Sequence, residues 1–114
     1  MEAAILNGDQ QTGISIMQLS AAMDAGPVYY QETIDLHGDE AGPDLLKSLG
    51  MLGAQKLIHL LPDILSGALK PQPQDDTRAS YCHLIQKTDG IINWNKSAIQ
   101  IEREVRAFSG WPQS

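Results

Sequence analysis

Cysteine is nearly absent. Cys82 stands alone among 114 residues, so the chain can form no internal disulfide, a usage that fits a reducing compartment. Basic residues are in the minority: eight Lys and Arg face fourteen Asp and Glu, for a net charge of −6. The field of the whole chain therefore opposes nonspecific nucleic-acid binding. Any RNA contact would need a local basic patch or residues outside this chain. No apolar run approaches the roughly 20 residues of a membrane helix. Met1-Glu2-Ala3-Ala4 lacks the basic and then apolar pattern of a signal peptide. These absences lead to the expectation of a soluble, cytoplasmic protein with no membrane partner. There is no glycine-rich phosphate loop. His37, His59 and His83 each stand more than 20 residues from the next, which leaves no metal-ligand spacing and no expected metal.

What is present suffices for one small domain with a packed core, since 42% of the residues are hydrophobic. No internal repeat is visible. The stretch Thr12 to Tyr30 organises the chain. An apolar run from Ile14 to Leu19 leads into a loop of small residues holding one acid, Asp24. A second run, Val28 to Ile34, is β-branched and aromatic and leads out as a strand. Continuous apolar character in the first run predicts a strand covered on both faces. Upstream, Met1 to Leu6 reads as the tail of a helix stopped at Asn7-Gly8-Asp9, too short to persist unless it packs on something.

Downstream, Asp35 to Asp44 is a polar loop. Leucines and isoleucines then recur at helical spacing. Gly50, Gly53 and Pro62 interrupt them, so the spacing predicts two joined helices, about Pro43–Leu52 and Ala54–Ser66, closed by Gly67. Composition changes at Lys70, where K-P-Q-P-Q-D-D-T reads as an extended linker whose acids solvate it or cap a local turn. Ser97 suits the N-cap of a last helix with Ala98, Ile101, Val105 and Phe108 about one turn apart, and Glu102 can pair with Arg106.

For chemistry, Asp24 is the sharpest candidate. Its neighbours Ala22, Ala25 and Gly26 are small enough for a substrate to approach the backbone. A carboxylate there can orient a histidine and stabilise its protonated form. It can equally do no more than satisfy backbone donors in a turn, and the residues alone leave both readings open. His37 reads as a solvated loop residue, His59 as packing, and Cys82 as unremarkable. Lys87, Lys96, Arg103 and Arg106 give the last third a mild basic bias, serving solubility or a phosphate-contacting surface.

Several ordered motifs go further. A-I-L-N-G-D-x-x-T-G-I-S-I-M-Q-L followed by M-D-A-G-P-V resembles the second half of the catalytic domain of folate-dependent formyltransferases. D-D-T-R-A-S-Y-C-H-L-I, D-G-I-I-N-W and I-E-R-E-V-R-A-F-S-G-W-P resemble the connector and second-domain opening of the branch that acts on methionyl-tRNA. The resemblance covers Ala3 to Ser114. It implies an α/β fold: residues 1–69 as the C-terminal half of a Rossmann-like formyltransferase domain, 70–89 as a linker, and 90–114 as the start of an OB-like second domain. It implies formyl transfer from 10-formyltetrahydrofolate to methionyl initiator tRNA by a protein that is monomeric at full length.

By the same resemblance Asp24 is the catalytic acid, Ala22, Met23, Ala25 and Gly26 line the folate and formyl site, and Lys87, Lys96, Arg103 and Arg106 contact tRNA. The family's catalytic Asn and His precede this point in a motif that none of the three histidines here matches. The resemblance thus implies a fragment, inactive by itself, with an uncovered sheet edge. A sugar-nucleotide formyltransferase fragment and a non-catalytic interaction fragment are the alternatives.

Overall fold

The computed structural model describes residues 1–114. Three helices and one two-stranded sheet follow in the order α1 (Glu2–Asn7), β1 (Gln11–Met17), β2 (Val28–Asp35), α2 (Gly42–Ser66) and α3 (Ala98–Ala107). No helix is long and apolar enough to cross a membrane. The strands form a hairpin. At its loop end the Gln18 amide donates to the Pro27 carbonyl at 2.9 Å, and at its open end the Leu36 amide donates to the Gln10 carbonyl at 2.8 Å, which makes the pair antiparallel.

β1 departs from expectation. It begins earlier and ends earlier than its apolar run, and its exposure alternates: Gln11, Gly13 and Ser15 face out while Thr12, Ile14 and Ile16 are half-buried. Period-two side-chain geometry dictates this once Gln11, Gly13 and Ser15 enter the strand. The strand is therefore covered on one face, and Leu19 falls in the exposed loop beyond it. The expected pair of helices is also one continuous helix, α2, which carries Gly50, Gly53 and Pro62 in its interior. Two glycines cost about 1 kcal/mol each in a helix. The half-buried stripe of Leu49, Leu52, Leu60 and Ile64, with buried Leu45 at its head, outweighs them. Gly67, at φ 74°, closes the helix as expected.

The chain divides into two compact units. The first comprises Met1–Thr12, Ile34–Ser48 and Cys82–Ser114. Its core is Ile5, Leu45, Ala107 and Phe108, all buried. α1 is only six residues long and packs on α3, which answers how so short a helix persists. Gly8 ends α1 in the left-handed conformation, φ 70°, and returns its amide to the Ile5 carbonyl at 3.0 Å. From α3, Gln100 Nε2 donates to the Leu6 carbonyl at 3.4 Å and Arg103 Nη1 to the Asn7 carbonyl at 3.2 Å. A cation thus sits at the negative pole of α1. Ser97 caps α3 as expected, its hydroxyl accepting from the Gln100 amide at 3.3 Å. The buried face of α3 is rotated from the expected one: Ala98 and Val105 are exposed, whereas Glu104 is buried and paired with Lys96.

The second unit comprises Gly13–Thr33 and Leu49–Tyr81. Lys56 of α2 meets Glu32 of β2 at 2.7 Å, and the Tyr30 hydroxyl donates to the same carboxylate at 2.8 Å. The segment read as a linker does start extended, but it is fastened to the hairpin: Val28 and Gln72 exchange amide–carbonyl bonds of 2.7 and 2.8 Å. Asp75 then caps a 3₁₀ turn, Asp76–Arg78, accepting from the Thr77 amide at 3.0 Å.

Candidate functional site

The loop that joins β1 to β2 is built from small residues because its backbone runs close to its own root. Gly26 is buried, and a Cβ there would collide with the Gln18 carbonyl oxygen, so only glycine closes the loop. Ser20 Oγ donates to the Ala22 carbonyl at 2.8 Å and tightens the outgoing arm. At the tip Asp24 adopts φ 54°, one of two non-glycine residues at positive φ in the chain. Asp tolerates that region better than most side chains, but it remains a constrained conformation.

Its restraint comes from far along the sequence. Gln74 Nε2 donates to the carbonyls of Asp24 at 2.8 Å and Gly26 at 2.7 Å. Both amide hydrogens are used, one on each side of Ala25. The loop is therefore held by its backbone, and the Asp24 side chain stands exposed. Met23 beside it is 89% exposed. Ala22 and Ala25 are exposed as well, so one rim presents an acid, a thioether and open backbone. Sequence reasoning missed Gln74. Nothing in P-Q-P-Q marks one glutamine as the partner of a loop 50 residues upstream.

One histidine ring is engaged, and not with Asp24. His83 Nε2 lies 3.2 Å from Asp89 Oδ2, and Asp89 also accepts from the Gln86 amide at 2.7 Å. Those bonds, the Gln86 amide first, lower the Asp89 pKa. His37 is an exposed loop residue, as expected, whose amide donates to Glu40 at 2.6 Å. His59 was expected to pack, yet it is exposed, because it lies on the outer side of α2. No grouping of three or more His, Cys, Asp or Glu side chains could hold a metal ion.

The four basic residues do not form one patch. Lys96 is spent on buried Glu104 and Arg103 on the end of α1. Arg106 grips Glu102 with two nitrogens and donates to the Glu40 carbonyl at 2.9 Å. Hydrogen bonding to Glu102 raises the Arg106 pKa and lowers that of Glu102. Lys87, exposed on a short 3₁₀ turn, Lys87–Gly90, is the one of the four whose side chain has no protein partner. A cleft of about 150 Å³ in the first unit, lined by Ile5, Ile99, Arg103 and Arg106 among others, does not include Asp24.

With this geometry in place, comparison with known proteins is decisive for descent. Residues 84–114 match the family model of the formyl transferase C-terminal domain. The methionyl-tRNA formyltransferase of Roseiflexus sp. (strain RS-1) is 44% identical over 109 residues, 96% of this chain and 34% of that protein. Residues 84–114 belong to the formyl transferase C-terminal domain family, and nearly the whole chain is similar to methionyl-tRNA formyltransferases. The chain spans about a third of the length of the curated relatives it matches.

Solved formyltransferases share its fold. An N-formyltransferase from Helicobacter canadensis, in complex with folinic acid and dTDP-3-aminofucose, superposes with a TM-score of 0.82 at 20% identity, over 92% of this chain and 39% of that one. The methionyl-tRNA formyltransferase from Clostridium thermocellum gives a TM-score of 0.70 at 18% identity, over 98% and 47%. The α/β expectation, with these residues as the later part of a formyltransferase, is thereby met.

Proposed function

We propose that this segment serves a methionyl-tRNA formyltransferase, which moves the formyl group of 10-formyltetrahydrofolate onto the amino group of methionyl initiator tRNA in the cytoplasm. The observation that carries the reading is the 44% identity across nearly the whole chain to a relative of that name. Residues 1–69 are the back of the catalytic domain, 70–89 the connector and 90–114 the opening of the second domain. Folate-derivative complexes of structural relatives support the choice of donor.

Asp24 is the catalytic acid in this reading. The amine attacks the formyl carbon, a tetrahedral oxyanion forms, the carboxylate orients a histidine that moves the amine's proton to the folate nitrogen, and the bond from that nitrogen to the formyl carbon breaks to release tetrahydrofolate. That histidine and the family's asparagine have no counterpart in this chain, so the 114 residues alone do not turn over. Ala22, Met23 and Ala25 border the folate, a role supported by their exposure, and Gly26, buried against Gln18, shapes the loop beneath them. For tRNA phosphate, Lys87 is the residue whose geometry leaves it free to serve; Lys96, Arg103 and Arg106 contribute through whatever donors their internal bonds spare.

The test is a chimera in which this segment replaces the matching third of the Roseiflexus enzyme. Formylation of methionyl initiator tRNA is expected, and Asp24→Asn is expected to lower kcat by about 10²- to 10⁴-fold. A chimera that formylates a nucleotide amino sugar and not the tRNA would replace this reading with the sugar-nucleotide one. An undiminished Asp24→Asn chimera would remove Asp24 from the chemistry.

A further inference from the structure

We infer that Gln74 is the positioning residue for Asp24: its side-chain amide, bonded to the carbonyls on both sides of Ala25, holds the loop tip in the left-handed conformation that aims the acid. The inference rests on the reading of Asp24 as catalytic, but its evidence is separate. One nitrogen places its two hydrogens on carbonyls of residues 24 and 26, at 2.8 and 2.7 Å. Both carbonyls point toward the same donor, so the Asp24–Ala25 and Gly26–Pro27 peptide planes are held together at the tip where Asp24 adopts φ 54°. Such a conformation in an exposed loop persists only when its surroundings impose it.

The donor itself is anchored. Gln72, two residues earlier, exchanges both backbone bonds with Val28 at the foot of the hairpin. The segment after α2 is thus a brace whose backbone grips the strand and whose side chain grips the loop. Glutamate at position 74 would offer no donor, and asparagine would be one methylene short.

The experiment uses the chimera with this segment isotopically labelled, and its Gln74→Met and Gln74→Ala variants. Gln74 is exposed, so both variants are expected to keep the fold, which protection of the Val28 and Gln72 amides from exchange would report. In the parent chimera the amide–Hα coupling and the strong intraresidue amide–Hα contact of Asp24 should report positive φ. Both variants should lose that signature with Val28 and Gln72 still protected. Retention of positive φ in the variants, or its absence in the parent, would overturn the inference.

In the chimera, Gln74→Met should lower kcat about tenfold with KM little changed. It should add nothing once Asp24 is already Asn. An Asp24→Asn loss with no Gln74→Met loss would sink the positioning role alone. Absence of the Asp24→Asn loss would sink the catalytic reading and leave the loop geometry to the magnetic-resonance result.

Discussion

At the scale of single residues, the best-defined electrostatic unit is Glu32 with Lys56 and Tyr30. The Lys56 ammonium lies 2.7 Å from the Glu32 carboxylate and 5.6 Å from the centre of the Tyr30 ring. Hydrogen bonds from Lys56 and then Tyr30 lower the Glu32 pKa below its ordinary 4.5. The same pairing, Glu32 first, raises Lys56 above 10.5. The signs follow from linkage. Below 4.5 the unfolded chain takes up its proton before the native chain does, so the stability due to Glu32 is complete above 4.5 and is lost as pH falls through the lower native value. For Lys56 the contribution is complete below 10.5 and lost as pH rises through the higher native value. Glu32→Gln is therefore expected to flatten the decline of the urea midpoint below pH 4.5 and to leave the shape of the curve between pH 5 and 9 unchanged. Parallel acid limbs for parent and variant would show that the pair does not contribute. Salt should weaken the effect, because both side chains are part-exposed.

At the scale of elements, α2 has two different sides. Leu45 is 3% exposed, whereas Ile58 and Leu65 are 75% and 78% exposed. Leu45→Ala should cost about 2–5 kcal/mol, and Leu65→Ala should stay within about 0.5 kcal/mol, both read from urea unfolding of the chain. Equal costs would mean that the outer side of the helix is covered. This helix also shows what the sequence made legible. Its periodicity announced helical structure between about residues 43 and 66, as two joined helices, and Gly8, Gly67 and Ser97 marked terminations and a cap, because caps and periods are local properties. Its continuity through Gly50, Gly53 and Pro62 was not legible, since local penalties of that size are outweighed by packing that lies elsewhere in the chain. The same division holds at the site. Asp24 stood out through its small neighbours. The Gln74 brace, the burial of Glu104 and the exposure of His59 depend on contacts or helix phase that no local pattern encodes.

At the scale of the whole molecule, large apolar side chains stand uncovered in both units: Leu19, Met23, Ile58 and Leu65 in the second, Leu84 and Trp94 in the first. Two strands alone are fewer than an independently stable sheet needs. Isolated apolar side chains on a surface are ordinary, but this many large ones in so short a chain mark surface that further protein covers. The 34% coverage of its relatives supplies that further protein in the proposed enzyme. The expected consequence is a contrast. The 114-residue chain should enhance the fluorescence of an apolar dye several-fold and sediment above its monomer mass at micromolar concentration. The chimera should do neither, since its remaining residues occupy those faces. Ile58→Glu with Leu65→Glu should lower dye binding by the chain alone and impair folding of the chimera. If the isolated chain proves to be a dye-silent monomer, its apolar faces are satisfied without added residues, and the non-catalytic interaction reading, which needs those faces available, fails with the prediction.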